Sequence, residues 1–458
     1  MLTQMLVPLL RALPLVLVWA MPLDAQRARP VGAFDFTGAS PWPAIRQERI
    51  RSLLPEAMKA AHVDAWITLV RENANDPLAL HLGGENAGAL SAILVMRDGD
   101  RVHTVILAGF GEVIALRELA VHDSVIAYTA ESGGPLGGVA DRLAKANPAR
   151  IAVNRGNLAM ADGLSASQRA ALERALGPTL SARLVSSAEL VSYWLARKLP
   201  AEVDIMRRAA TLTAQLEQEA YATVVPGRTR DNELARFLKQ RMRELGVEDG
   251  WSPAQNPSVN SGPDRGHSHA SDRIIQPGDV IQIDFGIKVH GVWGTDIQRF
   301  AYVLREGERD APFDVQRRWN AAVRGNRAAI AAMRAGTPGS VVDSAQRVVM
   351  KEDGSASVPW STGHPVGYWA HDVGPALNRT GRRVLEVGHV FAFDGFHAWT
   401  LPGGDGTWGN GSKTISVEEM AVITSLGAEY LTPPQERLIL IKTVGGLARG
   451  LGAGATPE

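Results

Sequence analysis

Short apolar runs alternate with helical patches through the first half of the chain. The segments AWITLV (65–70), SAILVM (91–96) and VHTVILAGF (102–110) are rich in β-branched residues and predict strands. Strands that alternate with helices are typical of an α/β domain. Because no compact cluster of candidate ligands falls among them, we interpret residues 42–195 as a separate N-terminal α/β domain.

A different pattern begins at the segment ARKLPAEVD (196–204). Pro200 cannot continue a helix from the preceding segment. After it, apolar residues recur at three- and four-residue spacing, which predicts an amphipathic helix. The apolar stripe of this helix consists of Ile205, Ala209, Leu212 and Leu216.

The second half of the chain repeats one arrangement of elements. A helical stretch at 203–222 leads through Pro-Gly to a second helix, with a capping candidate at Asp231. A helical stretch at 318–334, followed by GTPGSVVDSAQRVVM, repeats helix, Pro-Gly, hydroxyl residue and helix. We therefore predict two related αα halves that flank a strand pair.

Two aspartates interrupt the strand pair between these halves. In VIQIDFGIKVHGVWGTDIQRF (280–300), Asp284 and Asp296 fall on a predicted antiparallel hairpin whose turn is near KVHGVWG, so they can face each other. Opposed carboxylates repel each other unless a cation lies between them. A salt bridge from Arg299 to one of the two is the structural alternative.

Further polar residues lie in glycine-rich or apolar segments. STGHPVGYWAHDVGP contributes His364 and His371, VFAFDGFHAW contributes Asp394, and ISVEEMAVIT contributes Glu418 and Glu419. A buried carboxylate without a partner costs several kcal/mol. Carboxylates in several separate apolar strands therefore favour a shared metal site.

Composition narrows the kind of partner and the kind of metal. Lys plus Arg equals Asp plus Glu at 48 each, which argues against a global attraction to nucleic acid or to an anionic membrane. The 458-residue chain contains no cysteine, which excludes disulfides, thiolate catalysis and cysteine-ligated zinc. His and carboxylates remain as the strong ligands, and they suit a hard or borderline metal ion.

The N-terminus has the pattern of a secretory signal peptide. Arg11 precedes an uncharged apolar stretch from Ala12 to Leu23, and small residues follow around Ala25. This predicts a signal peptide over residues 1–26, and a mature protein that is secreted or periplasmic and not membrane-bound. An uncleaved N-terminal anchor is the alternative.

The candidate residues together resemble the family of creatinase, prolidase, aminopeptidase P and methionine aminopeptidase. The matching motifs are IDFG, TDIQR, TGHPVG, AFDGF and VEEM, in that order, and the resemblance extends over about residues 45–440. It implies an α+β chain, with a pita-bread catalytic domain of pseudo-twofold symmetry over 200–445 and a creatinase-type N-terminal domain. The implied metal ligands are Asp284, Asp296, His364, Asp394 and Glu418.

Two choices between neighbouring residues follow from the resemblance. Glu418 is preferred to Glu419 because the family places the ligand first in the acidic pair, and strand neighbours face opposite sides. The segment GHSHASDRIIQPGDVIQIDFG resembles the family segment that selects His267 over His269, and HDVGP matches a second non-ligand histidine at His371. We interpret His269, like His290, as an ordinary loop residue.

The resemblance also implies a chemistry. Asp394 or Glu418 accepts the proton of the attacking water, while His267 and His371 stabilise the tetrahedral intermediate or protonate the leaving nitrogen. Two divalent ions are implied, with Mn²⁺ favoured and Co²⁺, Fe²⁺ or Zn²⁺ as alternatives. A small peptide substrate of the Xaa-Pro class and a homodimer complete the expectation.

Four features depart from the family pattern. Asp394 replaces the usual Glu, Trp360 replaces a His, Ser416 replaces an Arg, and the spacing from Asp284 to Asp296 is one residue longer, which predicts an irregular or bulged hairpin. The leading prediction is an exported dinuclear-metal peptidase. A metal-dependent hydrolase or lyase of a small non-peptide molecule, or a catalytically silent binding protein of the same fold, remain open.

Overall fold

A six-stranded sheet occupies the first half of the chain in the computed structural model, which describes residues 34–129, 131–265, 270–406 and 411–443. Its strands are β1 (Ala65–Val70), β2 (Ser91–Asp98), β3 (Arg101–Ala108), β4 (Ser124–Ala127), β5 (Ile151–Val153) and β6 (Leu184–Ser186), in the order β4-β3-β2-β1-β5-β6. The pairs β1–β2 and β2–β3 are antiparallel, and the other pairs are parallel. The three strands predicted from apolar runs are confirmed.

Helices cover this first sheet. They are α1 (Trp42–Glu48), α2 (Leu54–Ala60), α3 (Ala79–Leu82), α4 (Val113–Glu118), α5 (Gly134–Ala146), α6 (Ala166–Ser181) and α7 (Ala188–Ala196), with a π-helical turn at Arg49–Leu53 between α1 and α2. Ile67 and Leu94 of the sheet pack with Val139 of α5 and Leu172 of α6 in one buried cluster. The apolar faces of strands and helices therefore meet in a core of their own.

Two helix pairs occur in the second half, as predicted from the repeated pattern. They are α8 (Pro200–Tyr221) with α9 (Asp231–Leu245), and α10 (Phe313–Ala332) with α11 (Gly339–Glu352). The predicted stripe of α8 is buried. The capping prediction at Asp231 is wrong by one residue, because Arg230 occupies the capping position and Asp231 begins the helix. None of the helices in the described ranges is both long enough and apolar enough to cross a bilayer.

The strands of the second half form a large sheet and a small one. The strands are β7 (Glu248–Asp249), β8 (Ser258–Asn260), β9 (Val280–Phe285), β10 (Ile287–Val289), β11 (Trp293–Gly294), β12 (Ile297–Val303), β13 (Gly363–Pro365), β14 (Val390–Thr400), β15 (Ser412–Thr424), β16 (Gly427–Tyr430) and β17 (Ile439–Ile441). The eight-stranded sheet follows the order β13-β14-β15-β12-β9-β8, with β16 added to β15 and β17 added to β12, and β11-β10-β7 form a three-stranded sheet. The mixed helices and sheets agree with the predicted α+β class.

The predicted hairpin runs from β9 to β12 and turns at His290–Val292. Phe285 lies opposite Ile297, and Lys288 lies opposite Gly294, so the register is the same on both sides of the gap at Gly286. The hairpin is irregular, as predicted, because Asp296 donates its backbone N–H to the sulfur of Met420 instead of to the ladder. A constant register leaves no room for an extra residue, so the bulge itself is absent from this hairpin.

A close approach of α10 to β14 fixes the position of Asp394. A Cβ atom on Gly395 would lie 1.9 Å from the carbonyl oxygen of Ala322, so only glycine permits this packing. Nδ2 of Asn326 donates to the carbonyl oxygens of Phe393 (3.1 Å) and Val417 (3.2 Å). Helix α10 is thus hydrogen-bonded to β14 and β15 directly behind Asp394.

Candidate active site

A cavity of about 400 Å³ opens over the eight-stranded sheet. The described residues that line it are Asn260, Asp264, Gln282, Asp284, Asp296, Gln298, Pro359, Trp360, Ser361, His364, His371, Asp394, Thr414, Ser416 and Glu418. The cavity therefore brings together all five predicted metal ligands and His371. The predicted catalytic His267, like His269, lies outside the described residues.

Strand register aligns three of the carboxylates in one row. Gln298 of β12 lies opposite Asp284 of β9 on one side and opposite Glu418 of β15 on the other. Glu418 in turn lies opposite Asp394 of β14. Side chains of directly opposed residues project to the same face of a sheet, so the row crosses four strands on the cavity side.

Three donors lie closest together. Nε2 of His364 is 3.7 Å from Oδ2 of Asp296 and 3.7 Å from Oε1 of Glu418. One donor atom from each of these residues lies within 4.8 Å of the others. Nδ1 of His364 is 3.1 Å from the carbonyl oxygen of Pro365, a contact in which Nδ1 donates and Nε2 is left as the acceptor. An ion between these three atoms would be held by His364, Asp296 and Glu418.

The other two predicted ligands adjoin this trio without joining it. Asp284 and Asp394 line the same cavity but are not part of the group whose donor atoms lie within 4.8 Å of one another. Oδ1 of Asp394 accepts a 2.5 Å hydrogen bond from the hydroxyl of Ser416. This bond leaves the second carboxylate oxygen of Asp394 for another partner.

The charges of the cavity favour a cation. Burial raises the pKa of Asp284, Asp296 and Asp394 well above the usual range, and the nearby carboxylate of Glu418 raises each of these pKa values further. Among the described residues that line the cavity, none is Lys or Arg. Buried carboxylates without a counter-charge are costly, and oxygen donors with one imidazole suit a divalent metal. The residues therefore fit such an ion.

Arg299 does not neutralise the cavity. Its guanidinium donates to both carboxylate oxygens of Glu419, at 3.0 and 2.9 Å, and both residues are buried. Glu419 follows Glu418 on β15 and is not among the cavity residues, as expected for neighbours on a strand. The alternative in which Arg299 pairs with Asp284 or Asp296 is therefore wrong.

His371 stacks on the trio. Its ring lies 4.2 Å from the ring of His364, centroid to centroid, with 28° between the planes. This places a second imidazole beside the predicted metal ligands, on the wall of the cavity. His290, interpreted as a loop residue, lies in the hairpin turn with its ring against Phe36 and Trp293.

Sequence reasoning missed one wall of the cavity. This wall includes Asn260, Asp264, Gln282, Gln298 and Thr414. Oδ1 of Asp264 lies 3.3 Å from Nζ of Lys413, and both side chains are buried. A usable signal was present for the two glutamines alone, because each is a polar residue inside a run predicted to be a buried strand.

The second half of the chain matches a known family. Residues 204–425 fit the model of metallopeptidase family M24. This segment is an M24 metallopeptidase domain. The chain is 28% identical over 290 residues to a probable dipeptidase PepE of Mycobacterium tuberculosis, covering 62% of this chain and 70% of that protein. It is 26% identical over 246 residues to an Xaa-Pro dipeptidase of Pyrococcus furiosus, covering 53% of this chain and 64% of that protein.

Solved structures confirm the fold of this M24 peptidase. The crystal structure of dipeptidase PepE from Mycobacterium ulcerans superposes with a TM-score of 0.66 at 22% identity, over 89% of this chain and all of that one (100%). The predicted pita-bread architecture is thereby confirmed. The chain is a metallopeptidase by family, and its trio of Asp296, His364 and Glu418 offers a place for a divalent ion.

Proposed function

We propose that this M24 peptidase is an exported enzyme that uses two divalent metal ions to hydrolyse Xaa-Pro peptides. The observation that carries the proposal is the convergence of the four predicted carboxylate ligands, all buried, and His364 on one cavity. The Xaa-Pro preference is supported by similarity to the Xaa-Pro dipeptidase of Pyrococcus furiosus. Export is supported by the apolar pattern of residues 1–26.

The donor set supports two ions in preference to one. Asp296, His364 and Glu418 offer one group of ligand atoms, and Asp284 and Asp394 add carboxylates beside it. Mn²⁺ is favoured by a set of oxygens with a single imidazole, and Co²⁺, Fe²⁺ and Zn²⁺ are the alternatives. When bound, such ions lower the pKa of a water molecule and polarise the scissile carbonyl group.

The side chains of the cavity supply the proton transfers. Glu418 or Asp394 accepts the proton of the attacking water, because both carboxylates lie in the row over the sheet. The hydroxyl of Ser416 holds Asp394 in one orientation for this step. His371, which lies on the cavity wall, and His267 stabilise the tetrahedral intermediate or protonate the leaving nitrogen.

We also propose a location and an oligomeric state for the mature protein. Removal of residues 1–26 yields a mature chain without a membrane anchor, secreted or periplasmic. The N-terminal sheet domain supports a homodimer as the working assembly, by the resemblance of the chain to dimeric members of its family. Light scattering of the mature protein tests this: a mass of about one chain would contradict the dimer.

A single preparation tests the enzymatic part of the proposal. Metal content per chain is measured on the mature protein loaded with Mn²⁺, and hydrolysis is measured on Xaa-Pro dipeptides and tripeptides beside matched Xaa-Ala peptides. We expect two ions per chain and a kcat/KM about tenfold or more in favour of Xaa-Pro. One ion per chain contradicts the dinuclear site, and equal rates on Xaa-Ala contradict the specificity. Bound metal without peptide cleavage would favour a small non-peptide substrate.

A further inference from the structure

Four charged side chains are buried together between the first helices and the catalytic half of the chain. This buried charge cluster consists of Arg49, Lys198, Glu202 and Asp372. Nη1 of Arg49 lies 2.6 Å from Oε2 of Glu202, and Nζ of Lys198 lies 3.1 Å from Oδ2 of Asp372. Each of the four side chains is at most 1% exposed. The cluster contains two positive and two negative charges, so it carries no net charge.

Stability alone gives a weak reason for such a cluster. Two buried ion pairs lose their hydration on folding, and apolar residues of similar volume often stabilise a protein equally well. Hydrogen bonds between charged groups depend on direction, so a cluster of this kind can hold the segments that it joins in one geometry. The contacts of the cluster show which part of the molecule it orients.

The cluster holds the segment 366–373, which we call the His371 loop. The carboxylate of Asp372, next to His371, accepts backbone N–H groups from Tyr368 (2.9 Å) and Val373 (2.8 Å). A Cβ atom on Gly367 would lie 2.2 Å from Cε of Lys198, so the loop passes directly over the lysine. Asp372 thus closes the loop on itself and attaches it to Lys198.

Tyr368 links the same loop to the N-terminal half. Its hydroxyl donates a 2.6 Å hydrogen bond to Oε1 of Glu202, whose other oxygen binds Arg49. The guanidinium of Arg49 lies 5.3 Å from the centre of the Tyr368 ring, and Nζ of Lys198 lies 4.6 Å from it. Arg49 is itself anchored, because Nη2 donates to the carbonyl oxygen of Trp194 at 2.5 Å and Nη1 donates to that of Arg197 at 2.8 Å.

A second branch runs from Glu202 to the strand that leads into Asp296. Oε1 of Glu202 also accepts the indole N–H of Trp293 at 3.1 Å. The next residue, Gly294, donates its backbone N–H to the carbonyl oxygen of Gly367 at 2.5 Å. The carboxylate of Glu202 therefore holds both the His371 loop and the segment that leads into Asp296. His364 lies beside Asp296, and its ring stacks on that of His371.

We infer that Arg49 and Tyr368 are positioning residues for His371, through which the N-terminal half sets the geometry of the active site. The inference rests on the proposed role of His371. Neither residue is among those that line the cavity, so each would act through His371 and not directly on substrate. A displacement of His371 by about 1 Å is enough to lower turnover by one or two orders of magnitude.

The test combines the conservative variant Tyr368→Phe with His371→Ala. Tyr368→Phe removes one hydroxyl and keeps the ring. Tyr302→Phe is the matched control, because the hydroxyl of Tyr302 also donates to a glutamate, Glu308, at 3.0 Å in another part of the molecule. We expect kcat on the peptide substrate to fall about tenfold in Tyr368→Phe, with KM changed less than about twofold, and to be unchanged in Tyr302→Phe.

The double variant decides whether the effect passes through His371. In the His371→Ala background, Tyr368→Phe should cause no further loss, because the residue that it positions is gone. Arg49→Lys, which keeps the charge but cannot make all the hydrogen bonds of the guanidinium, should show the same dependence on His371. Equal losses in both backgrounds would overturn the inference and leave a purely structural role.

A readout without catalysis separates this inference from the proposed function. In protein labelled with ¹³C-histidine, the ring signal that disappears in His371→Ala identifies His371. That signal should shift in Tyr368→Phe and stay in place in Tyr302→Phe. An unshifted signal overturns the inference whether or not the protein cleaves peptides, and a shifted signal supports it even if no Xaa-Pro peptide is hydrolysed.

Discussion

The hydroxyl of Ser416 donates a 2.5 Å hydrogen bond to the carboxylate of Asp394. Ser416 lies two residues before Glu418 on β15, and Glu418 lies opposite Asp394 on β14, so the bond runs diagonally across the strand pair. The two residues that depart from the family pattern at this end of the cavity are therefore in contact. A shorter carboxylate and a serine in place of arginine form one local arrangement.

The first prediction follows from this contact. Asp394→Glu adds a methylene group of about 1.5 Å to a carboxylate that the backbone and Ser416 already hold in place. We expect kcat/KM to fall by about tenfold or more, measured on the preferred peptide together with metal content. Adding Ser416→Ala should recover part of the loss, because it makes room for the longer side chain. A more active Asp394→Glu enzyme with unchanged metal content would contradict this account, and would indicate that Asp394 weakens the active site.

The second prediction concerns metal binding. Asp296→Ala or His364→Ala removes one of the three closest donors, so at least one ion should be lost and turnover abolished. Metal analysis after dialysis measures the loss. His397→Gln is the matched control, because His397 is a buried histidine of β14 that is not among the cavity residues. Retention of two ions in Asp296→Ala would mean that other residues are the ligands.

Local patterns were sufficient for the main features of the fold and of the site. The apolar runs at β9 and β15 predicted buried strands, and the two-residue period of a strand implies that Glu418 and Glu419 face opposite sides. The turn chemistry near His290 predicted a hairpin that brings Asp284 and Asp296 to the same region. These features depend on neighbours in sequence, so sequence alone was enough.

Contacts between distant segments could not be predicted in the same way. Glu202 binds Arg49, Trp293 and Tyr368, which lie in three separate parts of the chain. No periodicity relates these positions, and a buried glutamate in a helix has the same local pattern as an exposed one. The wall of the cavity at Asp264 escaped prediction for the same reason, because its place depends on how loops cross the sheet.

The third prediction concerns export. If residues 1–26 are a signal peptide, the protein recovered from outside the cytoplasm should begin near Gln26 or Arg27. N-terminal sequencing of the recovered protein measures the start. Replacing Leu15 and Leu17 by Asp should interrupt the apolar stretch and retain the precursor in the cell. An intact N-terminus on protein from the soluble cytoplasmic fraction would refute export.

The fourth prediction concerns the ion pair behind the cavity. Arg299→Met leaves the carboxylate of Glu419 buried without its partner, so the free energy of unfolding should fall by about 3–5 kcal/mol. Arg299→Met with Glu419→Gln should regain much of this, because the amide is neutral and still accepts the backbone N–H of Gln435. Urea unfolding of the three proteins measures the difference. Equal stabilities of the single and double variants would contradict this account.

The last prediction concerns acid stability and depends on His389. Burial lowers the pKa of its imidazole to about 3, and the positive charges of Lys198, Arg383 and Arg197 act in the same direction. The neutral ring is required, since Nδ1 accepts the backbone N–H of Glu386 at 3.1 Å. Between pH 6.5 and the folded pKa, the unfolded chain therefore binds a proton that the folded chain does not.

The free energy of unfolding must decrease as the pH is lowered through this window, because the unfolded state gains the proton. Between pH 6.5 and pH 4.5, His389 accounts for a loss of about 2 to 3 kcal/mol in the free energy of unfolding, at 1.36 kcal/mol per pKa unit. Glutamine cannot take up the proton. The unfolding free energy of His389→Gln should therefore decrease by about 2 to 3 kcal/mol less than that of the parent chain over this range. Urea unfolding at both pH values measures it, with the exposed His103→Gln as the matched control. If His389→Gln loses as much stability in acid as the parent chain, the buried imidazole is not the sensitive group and another residue accounts for the acid response.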